Sequence, residues 1–200
     1  AGLGYDVAED RIRSALSSVT WQGRLEMIRE KPLIIFDGAH NASGAQALGH
    51  FIRTHYRDRR KVMIFGVMRD KEYRKMLKSL NDCIDIAILT RPGTERALDA
   101  AMMKSMARNP IVTTDTRSAL ARARQIAGDR DLILVTGSFY TLGEARQAVN
   151  EVFRVFLLIV LFAIAYSCLA HGQTVGVRRD EIKGPVDITA DRIEYDSAAN

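Results

Sequence analysis

Residues 33–44 read LIIFDGAHNASG, and the fold turns on how that stretch is parsed. Four apolar residues, Leu33 to Phe36, run without polar alternation into Asp37-Gly38-Ala39-His40-Asn41, and a helical pattern follows. An apolar run of this length suits a strand covered on both faces. A strand, a compact polar turn and a helix together make half of a βαβ unit. The same step recurs downstream. Strands are expected at LIIF (33–36), VMIFG (62–66), IAILT (86–90), IVTT (111–114) and LILVTG (132–137). Helices with turn or cap signals are expected over 43–55 after Ser43, 70–81 after Asp70, 95–107 after Thr94, 115–127 after Asp115 and 138–151 after Ser138. In the fourth of these, Ala119, Ala123 and Ile126 share one face, as for a helix lying on a sheet. Strands alternating with helices of this length imply parallel crossovers. The fold class is α/β, a mainly parallel Rossmann-like sheet with flanking helices.

Two hundred residues suffice for one domain and a short appendage. Residues 1–150 carry 24 Lys and Arg against 17 Asp and Glu, whereas residues 151–200 carry 5 against 7. The basic surplus fits a domain that handles phosphates or carboxylates. The densest run, RDRRK at 57–61, lacks the interleaved aromatics that stack bases, so no nucleic-acid partner is expected. Cys83 and Cys168 are isolated, and the four histidines show no ligand spacing with them. Neither a disulfide framework nor a metal site is expected, which suits a reducing compartment for the first 150 residues. A further helix is read over 6–20. The stretch TWQGRLEMI (20–28) reads as a linker into the domain. The chain opens on AGLGYDVAEDRIRSAL without Met, as the interior of a longer protein would.

Ligands of open parallel sheets gather at the carboxyl ends of the strands, where helix N-termini also point. Asp37 there could accept from a sugar hydroxyl and His40 could donate to an anionic ligand, while Gly38 lets the backbone turn. The competing reading of the same five residues is a helix-capping turn. Gly137 and Ser138 open the last helix, where backbone amides and the dipole favour a carboxylate or phosphate, unless Ser138 merely caps its own helix. Arg24, in GRLE, offers a permanent charge suited to phosphate. No G-x-x-x-x-G-K-[ST], no G-x-G-x-x-G and no Ser/His/Asp or Cys/His set occurs. Phosphate chemistry must therefore be completed by residues outside this chain.

Taken in order, WQGRLE, DGAHN, GVMRDKEYRKML, RPGTERAL and VTGSFYTLGEAR resemble the carboxyl-terminal domain of the folylpolyglutamate synthase/dihydrofolate synthase family, within the Mur ligase superfamily. The resemblance covers residues 6 to about 150. It implies an ATP-dependent amide ligase that phosphorylates a pterin-linked carboxylate to an acyl phosphate, which the amine of glutamate then attacks. It further implies that Arg24 and Asp37 contact ATP, and that His40, Gly137 and Ser138 line the glutamate side. ATP and Mg2+ are the implied cofactors, with the P-loop and most metal ligands in a central domain. No catalytic residue and no metal ligand is assigned to this chain, which alone is expected to be inactive. Glutamate and folate or dihydropteroate are the other implied small-molecule partners, and the chain is expected to be a monomer. Residues 1–19 look like the end of the central domain, and 20–151 the carboxyl-terminal-type domain. Many relatives follow DGAHN with Pro where Ala42 stands here. Since Pro at a helix start only presets φ, the difference alters little.

Beyond residue 151 the character changes. Sixteen residues from Val155 to Ala170 carry no charge, fewer than the roughly 20 that span a bilayer. Arg154 before the run and Ala170-His171-Gly172 after it resemble a signal peptide with its cleavage site. The expectation for 152–172 is an apolar signal-peptide-like or transmembrane helix, offering a membrane contact through 155–170. The tail 173–200 is expected to be extended or disordered, and its ITADRIEYD resembles the start of OstA-like lipopolysaccharide-transport domains. Residues 1–151 are expected in the cytoplasm, and 152–200 membrane-inserted or exported. The alternative function is accordingly an exported or membrane-anchored lipopolysaccharide-assembly fragment fused to a ligase remnant.

Overall fold

Every apolar run of the first 150 residues becomes a strand in the computed structural model, which describes residues 8–19 and 21–171. The strands are β1 (Glu26–Glu30), β2 (Leu33–Phe36), β3 (Lys61–Phe65), β4 (Ile86–Leu89), β5 (Pro110–Val112) and β6 (Leu132–Thr136). They form one sheet in the order β1-β2-β6-β3-β4-β5. All neighbours are parallel except β1, which runs antiparallel to β2 along the edge. The helices are α1 (Glu9–Ser18), α2 (Ala42–His55), α3 (Tyr73–Asn81), α4 (Thr116–Ile126) and α5 (Phe139–His171), and a 3-10 helix covers Ala100–Met106.

The pleat sorts each strand between two cores. Leu33 and Ile35 of β2, Met63 and Phe65 of β3, and Leu132 and Leu134 of β6 face one side. There they meet Leu48 and Ile52 of α2 and Met76, Leu77 and Leu80 of α3. Ile34, Phe36, Val62, Ile64, Ile133 and Val135 face the other side, against Ala119 and Ala123 of α4 and Leu142 and Ala145 of α5. The central strands are thus buried on both faces, which is why their sequences show no polar alternation.

Four expectations need correction. The linker read over 20–28 contains β1, an edge strand with a bulge between Met27 and Arg29. The helix expected over 95–107 starts only at Ala100, capped by Asp99 rather than Thr94. Residues 96–98 are held instead by the neighbouring loop: Arg69 N donates to Arg96 O (2.9 Å), Leu98 N to Val67 O (2.9 Å), and Met68 bridges Ala97. Helix α3 begins at Tyr73, because Asp70 pairs with Lys71 and Arg96 instead of capping.

The last correction concerns the apolar run. It is continuous with the preceding helix, since α5 runs unbroken from Phe139 to His171. Among the described residues no helix is long and apolar enough to cross a membrane. Sixteen residues at 1.5 Å each reach about 24 Å, short of the roughly 30 Å hydrocarbon core. The transmembrane reading of 152–172 therefore finds no support, and nothing in the described residues adds support to the signal-peptide reading. The OstA-like tail, 173–200, lies outside the described residues. By contacts the chain divides into two units at Val155 and Phe156. In the second, Leu158, Ile159, Leu161, Phe162 and Tyr166 are exposed.

Candidate functional site at the β2 and β6 strand ends

Strands β2 and β6 are neighbours, yet their following helices leave to opposite faces, α2 to one and α5 to the other. Such a divergence opens a crevice at the carboxyl ends, the usual ligand position in open α/β sheets. Asp37–Asn41 leaves β2 on one wall and Gly137-Ser138 leaves β6 on the other. The two are stitched together: Gly137 N donates to Ala39 O (3.2 Å) and Asp37 N to Val135 O (3.0 Å).

Asp37 is buried, and both carboxylate oxygens accept backbone N–H groups. Oδ1 takes Ala39 N at 2.9 Å and Oδ2 takes Leu25 N at 3.0 Å. The second bond matters because Leu25 has a φ of 45°, a left-handed conformation that a leucine resists. Asp37 thereby fixes the GRLE turn against the crevice. Gly23 adds a second bond to the DGAHN loop, its carbonyl accepting from Gly38 N at 2.6 Å. Glu26 closes the turn from behind, accepting from Gly23 N (2.7 Å) and from both terminal nitrogens of Arg146 (3.0 and 2.5 Å).

The Arg146 hydrogen bond is the main cause that holds the Glu26 carboxyl below its ordinary 4.5, against a smaller upward push from burial. A depressed acid stabilises the fold above its unfolded value and loses that contribution as pH falls through the folded value. Glu26→Gln is therefore expected to lose about 0.5–1.5 kcal/mol at pH 7, discounted for partial exposure. Urea titrations of the two proteins should diverge above the ordinary value of 4.5 and converge below it. A gap independent of pH would refute the assignment.

With its turn so fixed, Arg24 projects from the rim and is exposed. Its guanidinium carbon lies 5.6 Å from the Phe139 ring centroid, and it has no carboxylate partner among the described residues. His40 is half-buried. Its Nδ1 lies 2.9 Å from Gly38 O, and since a carbonyl only accepts, Nδ1 carries the proton. Nε2 has no hydrogen-bond partner among the described residues. Asn41 caps α2, its Oδ1 accepting from Gly44 N (2.8 Å), so the capping reading holds for that residue.

Ser138 is also a cap. Its buried hydroxyl accepts from Thr141 N (3.2 Å) and lies 2.9 Å from Thr141 Oγ1. Thr141 Oγ1 itself donates to Gly66 O (2.9 Å), so Ser138 is the donor in their mutual bond. The Ser138 hydroxyl hydrogen is committed, and the donors that remain at this wall are first-turn amides of α5, which have no intrahelical acceptor. Together with the dipole and Arg24, they make the crevice favourable to anions.

Phe139 escaped the sequence reading. It sits 51% exposed at the start of α5, with Arg24 over its face and the His40 ring at 5.7 Å. The signal was present in GSFY, since two bulky aromatics at adjacent helical positions cannot both face a core. A separate cleft of about 580 Å³ opens between the ends of β4 and β5 and helix α5. None of the predicted site residues lines it. Two of its carboxylates are engaged, Glu144 by Gly93 N and Asp115 by Ser118 N. Among the described residues no cluster of three or more His, Cys, Asp or Glu could hold a metal ion.

A protein-family model, the Mur ligase glutamate ligase domain, matches residues 23–139, more than half of the chain and both walls of the crevice. The chain belongs to this family. It is 32% identical over 165 residues to the dihydrofolate synthase/folylpolyglutamate synthase of Mycobacterium tuberculosis, covering 73% of this chain and 34% of that protein. The protein of the same description from Bacillus subtilis is 27% identical over 144 residues, covering 70% of this chain and 33% of its own length. Among solved structures, Escherichia coli FolC in complex with DHPP and ADP superposes with a TM-score of 0.68 at 26% identity, covering 74% of this chain and 36% of that one. The family member described here thus spans about a third of the length of these relatives.

Proposed function

We propose that this chain is the nucleotide- and glutamate-binding part of an ATP-dependent amide ligase that adds glutamate to folate or dihydropteroate. The observation that carries the reading is the anion-favouring crevice between β2 and β6, built from the same residues that carry the family resemblance. Arg24 supplies charge for the ATP phosphates. Asp37 serves chiefly by holding the Arg24 turn, with lone pairs left over for a nucleotide hydroxyl. His40 Nε2 and the backbone amides from Ser138 into the first turn of α5 take the incoming glutamate. The Gly137 amide is already given to Ala39 O and the Ser138 hydroxyl to Thr141, so Gly137 serves by shaping the turn that presents those amides. In the reaction so assigned, the γ-phosphoryl group of ATP passes to a substrate carboxylate and ADP leaves. The glutamate amine then attacks the acyl phosphate, an amide forms and inorganic phosphate leaves. The phosphate cradle and the Mg2+ ligands are assigned to other segments of the complete enzyme, and the setting to the cytoplasm.

The purified 200-residue chain is expected to bind ADP weakly, with millimolar affinity, and to show no ATP turnover or glutamate ligation. Arg24→Met should weaken ADP by about 10- to 100-fold, the worth of one charge-assisted hydrogen bond. Isothermal titration, with ligation assayed in parallel, checks both. Robust ligation by this chain alone, or ADP affinity indifferent to Arg24, would sink the reading.

A further inference from the structure

Phe139 belongs to neither hydrophobic core. A ring that is half exposed at the first turn of a helix needs another reason to be there. What surrounds it supplies one. The Arg24 guanidinium lies over its face at 5.6 Å, and the His40 imidazole is tilted 46° to it at 5.7 Å. The backbone of both loops is hollowed to admit the ring. A Cβ at Gly38 would come within 2.5 Å of Phe139 Cε1, and one at Gly23 within 3.3 Å. One ring therefore touches the turn that carries Arg24 and the loop that carries His40.

We infer that Phe139 is a positioning residue, whose ring holds the Arg24 guanidinium and the His40 imidazole together at the mouth of the crevice. This rests on the assignment of Arg24 to nucleotide phosphate and His40 to glutamate. An arginine on an exposed turn has a long side chain with many rotamers to lose on binding. Stacking on an aromatic face removes much of that freedom beforehand and adds a cation–π attraction. His40 is steered differently. Its Nδ1 is anchored on Gly38 O, and the ring beside it limits rotation, which keeps Nε2 turned to the ligand side. Because both contacts converge on a single side chain, the nucleotide and glutamate halves of the site share one support.

The test uses the full chain, ADP as probe and four variants. Phe139→Leu keeps an apolar side chain but removes the ring, and Phe139→Tyr keeps the ring. Phe139→Leu should weaken ADP by about 2- to 5-fold, the worth of an exposed cation–π contact. Phe139→Tyr should restore wild-type affinity. The double variant Arg24→Met/Phe139→Leu should bind no more weakly than Arg24→Met alone, because the ring acts through the arginine. A spectroscopic signature runs alongside. In proton–carbon NMR spectra, ring-current shifts of the Arg24 δ-methylene and the His40 ring protons should appear in the wild type and Phe139→Tyr and vanish in Phe139→Leu. A ring that merely packed would alter the melting temperature and leave the ADP affinity of Phe139→Leu at the wild-type value, whereas the ring-current shifts report whether the ring meets Arg24 and His40 at all. Absent ring-current shifts in the wild type overturn the inference without any variant having to fold, and so does additivity in the double variant. If the wild type binds no ADP, the nucleotide assignment fails, and the NMR shifts decide the positioning role by themselves.

Discussion

Gly137→Ala is expected to destabilise the chain by about 2–6 kcal/mol, a large share of the roughly 5–15 kcal/mol that holds a domain folded. Two independent effects add. Gly137 has a φ of 105°, a conformation that costs an alanine about 1–3 kcal/mol. Its missing side chain also faces a wall: a Cβ would lie 2.6 Å from Gly66 O and 3.1 Å from the Phe65 ring. Gly66 O is not free to retreat, because it accepts from Thr141 Oγ1, and Gly66 N donates to Thr136 O. Making room would part the β3 and β6 ends or break the Ser138–Thr141 cap. Gly143→Ala is the internal control. That glycine lies six residues on in α5 with nothing within 4 Å of its would-be Cβ, so alanine should stabilise by about 0.5–1 kcal/mol. Urea midpoints of the three proteins give the comparison. A Gly137→Ala midpoint close to wild type would mean that the two strand ends part easily, and the crevice would lose its rigid wall.

The contrast between these two glycines shows where the sequence was readable. The G-S step at 137–138 marks a turn into a helix, and that much is visible in one dimension. What excludes a side chain at 137 is the carbonyl of residue 66, which a parallel crossover brings in from far along the chain. The same distinction runs through the fold. Strands β2, β3, β4 and β6 were legible because burial on both faces forces an uninterrupted apolar run. Helix α4 was legible from the Asp115 cap, whose Oδ1 accepts from Ser118 N as its sequence position suggests. Strand β1 was not, since EMIRE is an edge strand with one solvent-facing side, and charges there read like a linker. Thr94 looked like a cap but belongs to a loop held by β3's following segment, a non-local contact that overrides propensity.

At the site, residue types were easier to foresee than their roles. Arg24, Asp37, His40, Gly137 and Ser138 do gather at one crevice. Ser138 and Asp37, however, prove to be bonded to the protein's own backbone, the alternative that any short polar side chain beside a turn carries. Phe139 was passed over because an aromatic residue is read first as core, and only the positions of Gly23 and Gly38 around its ring show otherwise.

Asp37→Asn distinguishes a carboxylate that supports from one that only touches ligand. The substitution preserves shape and replaces one accepting oxygen with an NH2 group. Whichever way the amide turns, either Leu25 N or Ala39 N meets a donor and loses its partner. Losing a charge-assisted hydrogen bond and leaving a buried donor unsatisfied should cost about 2–4 kcal/mol. Ala39 N is the more deeply buried donor and keeps the oxygen, so Leu25 N is the one released. Leu25 can then leave its left-handed φ of 45°, and the turn bearing Arg24 goes with it. ADP affinity should therefore fall by about as much as in Arg24→Met, roughly 10- to 100-fold. The two variants part on stability. Arg24→Met removes an exposed side chain with no ion pair among the described residues and should leave the unfolding free energy within about 0.5 kcal/mol of wild type, whereas Asp37→Asn should shift it strongly. If Asp37→Asn weakened ADP without lowering the midpoint, Asp37 would be a direct ligand to the nucleotide and not the brace of the turn. If it lowered the midpoint and left ADP affinity intact, the Arg24 turn would owe its geometry to Gly23 and Glu26 instead.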